Sequence, residues 1–297
     1  MPTHYAEIVQ RYRPLAELVP AHWQAGSITA DDGAQIHYTR TGFAKPALLL
    51  LHGVQVSGLM WLRTAQSLES SYDVIMPDLR GHGQSSRVAP GLPSDQLVAD
   101  MAALLRELGI TRPLIAGHSL GADIAGRLAA THPTRAVVLV DPALRNIAAA
   151  MAFDPANPPP WLAPIMQVLE ALKHQPHAER MLSGLRLLPP GTPIWHEADY
   201  VGFVEGQAQF DPTFFGYASA LGYLFEEPTT IAQIDCPTLL LTARPMMPGA
   251  DNSAGLAAFE QNWRAGRHVH FADSGHFIPF DQFERFDEVM RDFLAEQ

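Results

Sequence analysis

The sequence predicts an α/β chain: a mostly parallel, doubly wound sheet with helices on both faces and one helical cap inserted after a core strand. Short apolar runs return along the chain with amphipathic, helix-length segments between them, the rhythm of strands joined by crossover helices. Several runs, such as Leu48–Leu51 and Val137–Val140, show no polar alternation, as strands do when both faces of their sheet are covered. The third observation is a break in that rhythm. From about Leu144 to Ile231 no strand-like run occurs, and Pro155, Pro158, Pro159, Pro160, Pro189 and Pro190 are interspersed with aromatic residues. So long a stretch without strands, inside an otherwise regular alternation, reads as an inserted cap.

The elements follow in order. After the turn signal Asp31-Asp32-Gly33, the alternating stretch Gln35 to Thr39 reads as an antiparallel edge strand. Strand candidates then run Ala47 to Leu51, Tyr72 to Met76, Pro113 to Ala116, Ala136 to Val140, Thr238 to Thr242 and His268 to Phe271. Helical patterns lie over Leu97 to Leu108, stopped by Gly109, over Gly121 to Ala130, and over Phe283 to Leu294. The expected division is a core domain of residues 1–143 and 232–297, with the cap at 144–231.

Composition narrows the function. A chain of 297 residues, 47% apolar and 17% charged, can bury one sizeable core plus an insertion. The net charge of -11 opposes nucleic acid and anionic membrane, whose binders carry basic surfaces. The expected partner is a small molecule; nothing bears on oligomeric state. Cys236 is the only cysteine, so no disulfide forms within the chain, and its apolar neighbours suggest an ordinary buried thiol. His4, Glu7, Arg11 and Arg13 interrupt the N-terminus, which lacks the apolar stretch of a secretory signal. No apolar run approaches the roughly 20 residues that span a bilayer. A cytoplasmic protein is expected.

The strongest chemical signal is Gly117-His118-Ser119-Leu120-Gly121, directly after one strand candidate and directly before a helix. Small residues two places either side of Ser119 permit a sharp turn that projects its hydroxyl from the carboxyl edge of the sheet. The same turn sets the Leu120 amide at a helix N-terminus, where it can donate to a developing oxyanion. A second donor should follow Ala47 to Leu51, where His52-Gly53-Val54 lets the backbone approach closely; the Val54 N–H is the candidate. The base must be a histidine arriving late. Of thirteen, His276 stands on a loop beyond the last strand and before the final helix. His52 and His118 flank the motifs and read as structural.

These landmarks resemble the α/β-hydrolase superfamily. Leu51-His52-Gly53, then Pro77 to Ser85, then Gly117 to Gly121, and Gly275-His276 stand in the order of that family and cover nearly the whole chain after about Ala25. The resemblance implies that Asp78, Arg80 and His82 form a structural turn. Residues before Ala25 lie outside it and read as a packing helix.

The triad acid departs from the common pattern. Relatives mostly place it just beyond the strand matching Thr238 to Thr242, where this chain reads Ala243-Arg244-Pro245-Met246-Met247-Pro248-Gly249-Ala250-Asp251. Asp251 serves if the loop carries an insertion. Asp141, at the end of Ala136 to Val140, is the other site, used by some members of the family, and is slightly favoured because a strand terminus fixes a side chain better than a glycine-containing loop. Both preserve the order serine, acid, histidine.

The expected activity is a serine hydrolase acting on a carboxylic ester or lactone of a hydrophobic small molecule. Met60, Trp61, Trp161, Trp195 and Phe277 are the candidate pocket lining, with Trp61 and Phe277 favoured. Serine at the elbow argues against epoxide hydrolase and dehalogenase chemistry, which need a carboxylate there. Phe277, where carbon–carbon bond hydrolases of this type carry tryptophan, weighs against carbon–carbon bond cleavage. A carbon–carbon bond hydrolase, a perhydrolase or acyltransferase on the same fold, and a non-catalytic ligand-binding member stay open beside the ester or lactone hydrolase. The sequence shows no HExxH or paired-cysteine metal spacing and no glycine-rich nucleotide fingerprint, so neither metal nor cofactor is expected.

Overall fold

The computed structural model describes residues 5–89, 91–143, 160, 162–189, 191–218, 228–245, 252–264 and 266–297. The described strands are β1 (Gln24–Thr29), β2 (Gln35–Arg40), β3 (Ala47–Leu51), β4 (Asp73–Pro77), β5 (Leu114–His118), β6 (Ala136–Val140), β7 (Thr238–Ala243) and β8 (Gly266–Phe271). They form one sheet in the order β1-β2-β4-β3-β5-β6-β7-β8. β1 pairs antiparallel with β2, and β2 with β4; every later pairing is parallel. The mostly parallel, doubly wound sheet expected from the sequence is present.

The sequence did not mark β1. Only Ile28 of that strand is buried, so Gln24–Thr29 carries neither an apolar run nor clear alternation. It exists because its backbone pairs with β2 over six residues.

The described helices are α1 (Tyr5–Val9), α2 (Leu15–Leu18), α3 (Leu62–Leu68), α4 (Gln96–Glu107), α5 (Leu120–Thr131), α6 (Leu162–His174), α7 (His177–Gly184), α8 (Glu197–Gln209), α9 (Phe214–Ala218), α10 (Pro228–Gln233), α11 (Ser253–Asn262), α12 (Ile278–Asp281) and α13 (Phe283–Ala295). The N-terminal segment forms two short helices instead of one, because Pro14 disfavours a helical Arg13 before it. α1 and α2 lie against α7 and α8, and α8 also packs on α3 and on the 3-10 turn Gly58–Trp61. Among the described residues between β6 and β7 there is no strand.

The sheet buries both faces, as alternate side chains of a strand demand. Leu48, Leu50, Val138 and Leu241 join Trp61, Leu62, Phe286 and Met290 of the 3-10 turn, α3 and α13. Leu49, Leu51, Val137 and Leu240 join Leu104, Ile124, Leu128 and Phe259 of α4, α5 and α11. Cys236 is buried just before β7, and burial pushes its thiol up to about 11. Among the described residues no helix is long and apolar enough to cross a membrane.

Candidate active site

After β3 the chain crosses to β4 on one side of it, and β5 then forms on the other. Loops leaving β3 and β5 therefore diverge, which opens a crevice at the carboxyl edge of a parallel sheet.

Ser119 stands at that edge, between β5 and α5, with φ 55° and ψ -119°. A positive φ is uncommon outside glycine and costs about 1–3 kcal/mol. Backbone bonds offset the strain. The Ser119 N–H donates to the Val140 carbonyl at 2.9 Å, and its carbonyl accepts from Ala122 and Asp123 N–H at 2.9 and 3.2 Å. Neighbouring glycines make the turn possible: a Cβ at Gly117 would collide with the Gly121 carbonyl, and one at Gly121 with that of Leu51.

The two expected oxyanion donors flank the serine. Leu120 opens α5, and neither its N–H nor that of Val54 has an acceptor among the described residues. A Cβ at Gly53 would lie 3.1 Å from His118 Nδ1 and 3.2 Å from Ser119 Cβ, so the Gly53–Val54 peptide runs directly against the serine. His52 orients that peptide. Its Nε2 accepts from the Leu79 N–H at 2.8 Å, which leaves Nδ1–H to donate to the Gly53 carbonyl at 2.7 Å. Because the peptide is planar and trans, fixing that carbonyl turns the Val54 N–H the opposite way. Burial lowers the pKa of His52 and keeps the ring neutral for this task.

Asp141 follows β6 with φ 42°. Its N–H donates to the Leu241 carbonyl at 2.8 Å. One carboxylate oxygen, Oδ1, accepts the Ala243 N–H from the end of β7 at 2.9 Å; the other, Oδ2, lies 2.7 Å from His276 Nδ1. Asp141 thus reaches from its own strand toward the end of β7, where the common pattern expects the acid. Asp251 lies outside the described residues.

The loop carrying His276 is tied at three successive residues. The Ser274 carbonyl accepts the Arg244 N–H at 3.1 Å, the Gly275 N–H donates to Asp281 Oδ2 at 2.8 Å, and the His276 carbonyl accepts from His118 Nε2–H at 2.8 Å. Burial, and then the neighbouring His276, push the pKa of His118 well below that of a free imidazole. The rings of His118 and His276 are 4.5 Å apart, which sets His276 beside the residue that precedes Ser119. Among the described residues the Ser119 hydroxyl and His276 form no hydrogen bond with each other.

Phe277 leads an aromatic cluster at this point. Its ring lies 5.5 Å from His276, 5.3 Å from His118, 5.3 Å from Trp195 and 5.4 Å from Phe203. Trp61 takes no part in that cluster. It is fully buried and stacks on Phe286 of α13, with ring centroids 6.2 Å apart; Met60 in the same turn is buried in the same core. Trp161 lies outside the described residues. A cavity of about 430 Å³ opens between Pro164, Val168, Ser183 and Leu187, and none of its lining belongs to the serine, aspartate and histidine constellation. The Asp78 turn is scaffold: Asp78 accepts N–H bonds from Gly58 and Gln84 at 2.8 and 2.9 Å, and Arg80 pairs with Asp32 and Asp100.

Sequence reasoning missed Asp281, Phe203 and the bond from His118 to His276. Asp281 and Phe203 sit in no motif, and only the three-dimensional arrangement brings them to the His276 loop.

A family model for the alpha/beta hydrolase fold matches residues 46–187. Lipase LipV of Mycobacterium tuberculosis is 38% identical over 130 residues, 40% of this chain and 49% of the lipase. The chain spans between 30% and 49% of the length of the first curated relatives it matches. Two solved structures share its architecture. Carboxylesterase CesB (YbfK) of Bacillus subtilis superposes with a TM-score of 0.69 at 18% identity, over 99% of this chain and 98% of that one. The enol-lactonase of Burkholderia xenovorans LB400 gives 0.62 at 20% identity, over 91% and 100%.

Proposed function

We propose that this chain, which has the α/β-hydrolase fold, is a serine hydrolase of the α/β-hydrolase superfamily cleaving a carboxylic ester or lactone of a hydrophobic small molecule. The observation that carries this reading is the 2.7 Å pairing of His276 Nδ1 with Asp141 Oδ2 beside a strained serine elbow at the same sheet edge. A carboxylate on Nδ1 holds the tautomer whose Nε2 is a free base, and stabilises the imidazolium that forms when the base is used.

In this mechanism Ser119 Oγ forms a bond to the substrate carbonyl carbon while its proton passes to His276 Nε2. The missing hydrogen bond between the two closes on substrate binding, as nucleophile and base contacts do. The oxyanion takes the N–H groups of Val54 and Leu120, each worth about 2.7–4 kcal/mol in such sites. The bond to the leaving alcohol breaks, and that oxygen takes the proton from His276. Water then gives a proton to His276 and attacks the acyl carbon; Ser119 recovers its proton as the acid departs. The aromatic cluster of Phe277, Trp195 and Phe203 suits an apolar acyl or alcohol group. The reading places the protein in the cytoplasm, acting on a small molecule without metal or cofactor.

A fluorophosphonate probe tests it, since only an activated serine is phosphonylated. Wild type should label at Ser119, Ser119→Ala should not, and wild type should turn over p-nitrophenyl esters or lactones. Folded wild type that neither labels nor hydrolyses any member of the panel overturns the reading.

A further inference from the structure

We propose that Trp195 and Asp281 form a positioning pair for the loop that carries His276, and that the N-terminal segment holds Trp195 in place. This inference rests on His276 being the base. The loop Ser274-Gly275-His276 contains a glycine, so its backbone has conformational freedom that something must remove. Asp281 removes it. One carboxylate oxygen, Oδ2, accepts the Gly275 N–H at 2.8 Å and the Ser274 hydroxyl at 3.3 Å. The other, Oδ1, accepts the indole N–H of Trp195 at 2.8 Å. The carboxylate is therefore clamped between the base loop and a residue that lies far away in the chain, just before α8.

Trp195 is in turn fixed by the first residues of the described chain. Its backbone N–H donates to the Tyr5 hydroxyl oxygen at 3.1 Å, and its carbonyl accepts from the Tyr12 hydroxyl at 2.9 Å. Next to Tyr12, Arg13 pairs with Glu197 through both its backbone and its guanidinium, and the Tyr12 carbonyl accepts from His177 Nε2–H at 2.8 Å. The indole ring also packs edge-on against Phe277 and Phe280, which directly follow the same loop, at 5.3 and 4.9 Å. Trp195 and Tyr5 are both buried, at 2% and 1% exposure, so these bonds do not compete with water. Such a chain, from Tyr5 and Tyr12 through Trp195 and Asp281 to Gly275, transmits rigidity because each member has its rotamer set by the next. A base displaced by about 1 Å loses on the order of 100-fold in rate. Trp195 and Asp281 touch no reacting atom in the mechanism above; they act through His276.

The experiment measures the fluorophosphonate labelling rate of Ser119, the kcat and KM for p-nitrophenyl butyrate, and Tm, in full-length Trp195→Phe, Asp281→Asn and Tyr12→Phe. Phenylalanine at 195 keeps an aromatic ring and loses the N–H. Asparagine at 281 keeps the shape and can no longer accept from both donors. The expected result is a labelling rate and kcat lowered about 10-fold or more in both, KM within about two-fold, and Tm within about 5 °C of wild type, the shift from one or two lost hydrogen bonds. The double variant should be no slower than the slower single variant, because one broken link already frees the loop. Variants that label at the wild-type rate per folded molecule overturn the pairing, including the case in which only Tm falls. If Trp195→Phe and Asp281→Asn do not fold, Tyr12→Phe decides: a rate reduced about three-fold supports the anchored chain, and a wild-type rate overturns it. Wild type that does not label removes the proposed function together with this inference, which is a different outcome from labelling that the variants leave untouched.

Discussion

Asp141 and His276 meet at 2.7 Å, yet they are put there by different means. Asp141, like Ser119, ends a central parallel strand and is held by the backbone. The Ser119 N–H bonds to Val140, the Asp141 N–H to Leu241, and the Ala243 N–H to the Asp141 carboxylate, so three adjacent strand ends fix one another through sheet register. His276 lies beyond β8 on a loop tied by the side chains of His118 and Asp281, from two separate parts of the chain. Register places a residue cheaply and rigidly, because the ladder is satisfied whether or not there is chemistry to do. A loop needs dedicated side chains, and these are the positions at which sequence reading is blind.

The largest expected effect tests the backbone-held side. Asp141→Asn keeps the size of the side chain, and its amide oxygen can still accept from Ala243. Its amino group then faces His276 and forces Nδ1 to accept, which moves the proton to Nε2 and removes the base. A loss on the order of 10³–10⁴ in kcat on an activated ester is expected, with Tm nearly unchanged. Activity within about ten-fold of wild type would mean that the acid held by register is not the one that orients the base. Gly53→Ala probes the same side with a smaller effect. The added Cβ would stand 3.1 and 3.2 Å from His118 Nδ1 and Ser119 Cβ, tighter than ordinary contact. Moving the serine by a few tenths of an ångström should lower kcat about 10- to 100-fold, read from ester turnover together with the labelling rate of Ser119. Wild-type values for both would show that the β3 loop can yield and that only the sheet is rigid there.

The same contrast explains what the sequence disclosed. β3 and β6 fall on their apolar runs to the residue, since a strand buried on both faces must be apolar throughout. Ser119 and Leu120 were legible because a strand, a tight turn and a helix follow one another without a gap, and Asp141 because it closes an apolar run. β1 was invisible: its Gln24–Thr29 is mostly solvated, and a strand that contributes backbone pairing alone leaves no trace in hydropathy. Trp61 and Trp195 show the limit for aromatics. Both are large and apolar, and nothing in composition tells that one stacks in the core on Phe286 while the other binds Asp281 beside the site. Asp281 carries no local pattern, as its partners are six and 86 residues away.

A second pair of carboxylates carries the comparison beyond the site. Asp141 has two donors within 2.9 Å. Asp199 in α8 is more deeply buried, at 2% exposure against 7% for Asp141, and has one ion pair, with Arg63 at 3.2 Å. Burial outweighs Arg63, itself shared with Glu284 at 2.8 Å, and raises the Asp199 pKa from 3.8 to about 7. Glu284 adds to the rise, and Tyr5, Tyr12 and His196 are further titratable groups about this cluster. The sign follows from which state holds the proton. Between pH 4 and 7 the folded chain keeps a proton on Asp199 that the unfolded chain has released, so this group's contribution to stability falls as pH rises through that window and levels off above it. Asp199→Asn carries no such proton. Its urea midpoint should therefore gain on wild type between pH 5 and pH 8, by an amount equivalent to on the order of 1 kcal/mol. Parallel midpoints across that range would show that Arg63 holds Asp199 ionised throughout, and that a single ion pair serves a buried carboxylate as well as the two donors of Asp141 do.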